Sequence, residues 1–187
     1  MRTDLSAVNV QFIVYSQSMN KQQILELKQL LAESVEIVIV PHRNPDGDAY
    51  GSCLALYHYL KRNGHSATVI SPNDAPEFLK WLPGVEDIII YEDNEKRAVE
   101  IIKKAQLIFT LDFNALHRVG SAMLKSLETA EGTFVMIDHH EQPDDYAKIT
   151  YSQSSMSSTS EMIYHLFDKL NVLDQINREI ATCLYTG

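Results

Sequence analysis

With 187 residues, 45% of them hydrophobic, the chain can bury one substantial core and is too short for two full-sized domains. A formal charge of -9 gives no basic footprint for sequence-independent binding to long nucleic acid, although metal ions could bring positive charge to a small anion. No apolar run is long enough to span a bilayer, and the opening residues lack the organisation of a signal peptide, so the expectation is a cytoplasmic protein with no membrane partner.

Residues 1–20 read as an N-terminal extension, disordered or created by an upstream start, which leaves 21–187 as one folded domain. Ile24, Leu27, Leu30 and Leu31 put a helix over 21–33, and the apolar run Ile37 to Val40, bounded by Pro41, follows as a buried strand. A second helix is expected from Gly51 to Arg62, stopped by Gly64, and a strand over Ala67 to Ile70. Pro83-Gly84 marks a turn. Further strands are expected at Asp87 to Ile90, Leu107 to Leu111 and Thr133 to Ile137, separated by helical stretches at Glu95 to Lys104 and Ala122 to Leu127. Two helices, Thr159 to Leu170 and Leu173 to Leu184, complete the chain. Strands alternating with helices imply an α/β fold, doubly wound, with a mainly parallel sheet covered on both faces. Cys53 and Cys183 lack a metal-ligand spacing and lie in helix-patterned stretches, so both read as buried thiols.

Three expected strands run into acidic residues. Val40 leads to His42-Arg43-Asn44-Pro45-Asp46-Gly47-Asp48, Leu111 to Asp112, and Ile137 to Asp138-His139-His140. In a parallel sheet these carboxyl ends share the edge where open α/β folds bind ligands. Carboxylates gathered in a partly dehydrated crevice either raise their pKa values or take a cation. With imidazoles beside them a divalent metal is the more economical answer, and a mixed Asp/His set suits Mn²⁺ better than Mg²⁺ or Ca²⁺, with zinc also compatible. The donors outnumber the needs of one ion, which points to a two-metal site suited to phosphoryl displacement. Gly47 and Gly51 would let backbone approach ions or phosphate, and the helix starting near Gly51 would aim its N-terminus there.

The stretch His42-x-Asn44-Pro45-Asp46-Gly47-Asp48-Ala49-x-Gly51-Ser52, then Asp112, then Asp138-His139-His140, resembles the first three motifs of the DHH phosphoesterases. Ser157-Ser158-Thr159-Ser160-Glu161 resembles the oligoribonuclease/pAp phosphatase (NrnA-like) subgroup. The resemblance implies a phosphoesterase that cleaves short single-stranded RNA and nucleoside bisphosphates such as pAp, using water activated between two divalent ions, Mn²⁺ first and Mg²⁺ second. It implies that His42 and Asp46 bind one ion, Asp48 and His139 the other, and that Asp112 bridges them. His140 would contact the scissile phosphate, and Asp138 would orient the histidine pair. A homodimer is implied by relatives. The family's fourth motif places another Asp beyond a Tyr-Thr-Gly, where this chain stops at Tyr185-Thr186-Gly187, so the expectation is an N-terminal portion lacking the smaller C-terminal substrate-binding domain.

Other residues leave choices open. Arg118 either reaches a substrate phosphate bidentately, as a catalytic residue, or forms a surface salt bridge. Ser158 and Glu161 stand at capping-box spacing and read as a helix start, with phosphate contact secondary. His58, His65 and His165 read as structural or surface histidines, while His117 is undecided. Phe78 and Trp81 are expected in the core or an interface, with base stacking as the lesser reading. An inorganic pyrophosphatase or exopolyphosphatase, or a non-catalytic nucleotide- or metal-binding module, are the competing functions.

Overall fold

The computed structural model describes residues 16–17, 19–33 and 35–187. In chain order its elements are β1 (Ser16–Gln17), α1 (Lys21–Leu30), β2 (Glu36–Val40), α2 (Gly47–Arg62), β3 (Ser66–Ser71), β4 (Ile89–Ile90), α3 (Tyr91–Lys104), β5 (Leu107–Leu111), α4 (Ser121–Glu128), β6 (Thr133–Asp138), β7 (Ile149–Gln153), α5 (Thr159–Leu170) and α6 (Arg178–Thr186). They form one seven-stranded sheet in the order β1-β7-β6-β5-β2-β3-β4. Strands β2 to β7 run parallel, and only the edge strand β1 is antiparallel, paired with β7.

The central strands β2, β5 and β6 are largely apolar because both faces of the sheet are covered. Along β2 the side chains alternate between two cores. Ile37 and Ile39 enter the one built with α1, α2, α5 and α6, whereas Val38 and Val40 enter the one built with α3 and α4. The doubly wound α/β architecture is therefore present.

Several boundaries differ from the sequence reading. Helix α2 begins at Gly47 rather than Gly51, because Asp46 supplies its N-cap. The strand expected at 87–90 shrinks to Ile89–Ile90, preceded by a 3-10 turn over Val85–Asp87 that follows Gly84 at φ 85°. The final helix is interrupted. A 3-10 turn at Leu173–Gln175 comes first, and Asn177 then caps α6 by accepting from Ile180 N at 3.0 Å. Phe78 and Trp81 do not enter the core: they are 69% and 63% exposed, and Leu79 and Leu82 are the buried members of that segment.

Within 1–20, Ser16 and Gln17 form β1, Met19 is buried, and Asn20 closes a capping box with Gln23 at the start of α1. The rest of that segment, 1–15 and 18, lies outside the described residues. Among the described residues no helix is long and apolar enough to cross a membrane.

Candidate metal centre

From β2 the chain moves outward to β3 and β4, then returns to lay β5 against the other side of β2. The loops leaving the adjacent strands β2 and β5 diverge, which opens a crevice at their carboxyl ends. His42 follows β2, and Asp46 and Asp48 open α2. Asp112 follows β5 directly, in a left-handed conformation (φ 66°) uncommon for a non-glycine residue, with its N–H donating to Ile137 O at 3.1 Å. Asp138 ends β6, and His139 and His140 come next.

The crevice encloses about 520 Å³, and His42, Asp46, Asp48, Asp112, Arg118, His139 and His140 all line it. His42 Nε2 lies 3.4 Å from Asp112 Oδ2 and 3.9 Å from Asp46 Oδ1. His139 Nε2 lies 3.5 Å from Asp112 Oδ1 and 3.7 Å from Asp48 Oδ2. Each ring has its other nitrogen turned to a backbone carbonyl, His42 Nδ1 to Arg43 O at 2.8 Å and His139 Nδ1 to Met156 O at 3.4 Å. A carbonyl only accepts, so Nδ1 carries the proton and the Nε2 lone pair of each neutral ring faces carboxylates. That arrangement is repulsive until a proton or a cation enters.

The separations are long for direct hydrogen bonds. They are close to the spacing of two donors around one ion, about 3.0 to 3.6 Å for ligands roughly 2.1 Å from it. Two groups of three donors, His42–Asp46–Asp112 and Asp112–His139–His140, each gather within 4.8 Å, and Asp112 belongs to both. The donor set therefore fits two divalent ions sharing one carboxylate.

Protonation follows the same geometry. Burial alone would lower the His42 pKa, but Asp112, the Arg43 carbonyl and the Asp46 charge raise it above 6.5. Burial raises Asp48, the charge of Asp112 adds to this, and hydrogen bonds from Ser160 and Thr159 oppose it. Asp138 is also raised by burial, against the pull of His140.

Asp138 is fully buried and spends both oxygens on one neighbour: Oδ1 lies 2.7 Å from His140 Nδ1, and Oδ2 accepts from His140 N at 3.1 Å. Both hydrogen bonds of its carboxylate go to His140, and the His139 ring takes none of them. Arg118 is exposed at the rim and forms no ion pair among the described residues, while its carbonyl accepts from Arg43 N at 2.9 Å and ties the two loops together.

Two expectations are corrected. The first N–H groups of α2 are not open to phosphate, because Asp48 N and Ala49 N both donate to Asp46 Oδ1 at 3.0 Å. Gly51 faces α6 rather than a ligand, since a Cβ on it would sit 2.6 Å from Cys183 O, whereas Gly47 does line the crevice, where a Cβ on it would sit 3.1 Å from Thr186 O. Ser158 caps α5 by accepting from Glu161 N at 3.1 Å, and Glu161 Oε2 accepts from Ser157 N and Oγ, both at 2.8 Å. His58 bonds Pro83 O, His65 is buried, and His117 and His165 lie outside the crevice. Both cysteines are buried, with the Cys183 thiol pushed up to about 12 by burial and the charge of Glu179.

The sequence reading missed Thr159, whose hydroxyl donates to Asp112 Oδ1 at 3.0 Å, and the chain's last residues, Thr186 and Gly187, which also line the crevice. The capping pattern marks Thr159 as the first helical residue, but nothing local names its distant partner.

Residues 36–187 match the family described as DHH family, N-terminal domain. The chain is 33% identical over 167 residues to the bifunctional oligoribonuclease and PAP phosphatase NrnA of Thermus thermophilus, covering 87% of the chain and 46% of that protein. It is 26% identical over 169 residues to the cyclic-di-AMP phosphodiesterase PdeA of Listeria monocytogenes, covering 86% of the chain and 25% of that protein. A solved structure of an exopolyphosphatase-related protein from Bacteroides fragilis superposes with a TM-score of 0.88 at 40% identity, over 92% of this chain and 50% of that one. The chain spans half the length, or less, of these proteins.

Proposed function

The chain belongs to the DHH family, and from that membership together with the chemistry of the crevice we propose that it is the catalytic domain of a metal-dependent phosphoesterase. Its substrates in this reading are short single-stranded RNA and nucleoside bisphosphates such as pAp. The observation that carries the reading is Asp112, which offers one oxygen to each of two donor groups.

His42 and Asp46 would hold one ion and Asp48 and His139 the other, with Asp112 offering an oxygen to each. Bound there, two divalent cations supply Lewis-acid charge for phosphoryl oxygens and lower the pKa of the attacking water. Nitrogen and oxygen donors together favour Mn²⁺, with Mg²⁺ as the second choice. Asp138 occupies His140 Nδ1, which leaves His140 Nε2 to meet a phosphoryl oxygen, and the unpaired guanidinium of Arg118 grips a neighbouring phosphate. The NrnA relative's name supports the substrate class. A cytoplasmic homodimer completes the reading.

A pyrophosphatase or exopolyphosphatase is the second reading, favoured by likeness to the exopolyphosphatase-related structure. A net charge of -9 and a single arginine at the crevice argue against a long polyanion. The test is Mn²⁺-dependent hydrolysis measured on pAp, an RNA dinucleotide, cyclic-di-AMP, pyrophosphate and polyphosphate, with the full-length Thermus relative assayed in parallel. Turnover of pAp and the dinucleotide is expected, and Asp112→Ala should abolish it together with paired-ion binding while the circular dichroism stays native. Preference for pyrophosphate or polyphosphate would establish the second reading, and ion binding with no turnover would make this chain a binding module.

A further inference from the structure

We infer that Thr159 is a positioning residue that fixes the plane of the Asp112 carboxylate so that one oxygen faces each donor group, an inference that rests on the two-ion reading above. Thr159 is fully buried at the first position of α5, where the Ser158 cap fixes the backbone around it. Its hydroxyl donates to Asp112 Oδ1 at 3.0 Å. An ionised carboxylate only accepts, so the direction of this bond is settled, and the rings of His42 and His139 stand farther from the Asp112 oxygens, at 3.4 and 3.5 Å.

The terminal torsion of an aspartate is broad, so the plane of a carboxylate is not fixed by the side chain itself. Thr159 removes that freedom. With one lone pair of Oδ1 engaged by the hydroxyl, the other remains for the His139 side at 3.5 Å, and Oδ2 is left whole for the His42 side at 3.4 Å. Held in this plane, the two oxygens would serve separate ions, and chelation of a single ion by the pair would be disfavoured.

The same residue steadies the second ion's other carboxylate. Its backbone N–H donates to Asp48 Oδ2 at 2.7 Å, while Ser160 N donates to Asp48 Oδ1 at 2.8 Å. One turn at the start of α5 thus orients Asp48 and Asp112 together, which makes the ion on the His139 side the one most dependent on Thr159.

The experiment compares Thr159→Val, which keeps the shape and removes the donor, with Thr159→Ser, which keeps the donor. Mn²⁺ alone is titrated into the metal-free proteins, read by calorimetry and by the paramagnetic resonance signal of coupled ion pairs, with circular dichroism and melting as folding controls. In Thr159→Val one of two ions should bind about 10- to 100-fold more weakly, the usual loss on removing a hydrogen-bond partner of a ligand. The coupled-pair signal should vanish at two equivalents. Thr159→Ser should restore both.

Two wild-type-like sites in Thr159→Val, or a Thr159→Ser protein as impaired as Thr159→Val, would overturn this inference alone. Uptake of a single ion by the unmodified chain would overturn the two-ion reading and this inference with it. If Thr159→Val does not fold, Thr159→Ala replaces it, judged against Thr159→Ser by the same outcomes.

Discussion

His42, Asp48 and Asp138 each hold a proton more tightly in the folded chain than in solution, for reasons visible around each of them. A group whose pKa rises on folding stabilises the fold fully below its unfolded value, and that contribution is lost as pH passes upward through the raised value. For the two aspartates the loss begins above 3.8 and for His42 above 6.5. The contribution of His42 to the melting temperature of the metal-free protein should therefore fall between about pH 6 and 8, the range in which histidine titrates, whereas His65, lowered by burial, shifts the melt the other way. Saturating Mn²⁺ should flatten the decline, because a cation can replace the proton between His42 and Asp112. Thermal melts of the unmodified protein and of His42→Gln, with chelator and with Mn²⁺, test this, and a metal-free difference between the two that climbs over the range would contradict it. The acids and imidazoles of the crevice were legible in the sequence because each lies within a few residues of a strand end. Thr159 was not, since its hydroxyl serves a carboxylate 47 positions away.

At the scale of elements, α2 and α6 cross closely beside the candidate metal-binding loop. Gly51 lies against the backbone of α6, where a methyl would stand 2.6 Å from Cys183 O and 3.1 Å from Gly187 N. Gly51→Ala should cost about 1–3 kcal/mol, as overpacking of this kind usually does. At roughly 2–4 °C per kcal/mol for a chain of this size, the drop in melting temperature is measurable by circular dichroism. An unchanged melt would mean that α6 can slide away freely. Strands β2, β5 and β6 and helix α5 were readable because continuous apolar runs or helical spacing span nearly their whole length. Strand β7 was not. Thr150, Ser152 and Gln153 break up its apolar pattern, and its place is set by pairing with β6. The start of α2 was hidden because Gly47 and Asp48 are poor helix formers, and only the Asp46 cap commits them.

At the scale of the whole chain, a charge of -9 and one arginine among the described residues lining the crevice bear on how the proposed anionic substrate would meet it. Association of a short RNA should depend weakly on salt, with a log–log slope of about -0.7 for one phosphate contact on a single strand. A slope several times steeper, measured by equilibrium binding across a salt series, would require a basic track that the described residues do not provide. The strand order carries another implication. His42 and Asp112 sit on loops from neighbouring strands that are separated along the chain by α2, β3, β4 and α3, so they meet only after β2 and β5 have paired. An ion bound between them, as proposed, would be a clasp closed at the end of folding. Interactions absent from the folding transition state leave the refolding rate alone and slow unfolding. Mn²⁺ should accordingly lengthen the lifetime of the native chain in stopped-flow unfolding without hastening its formation.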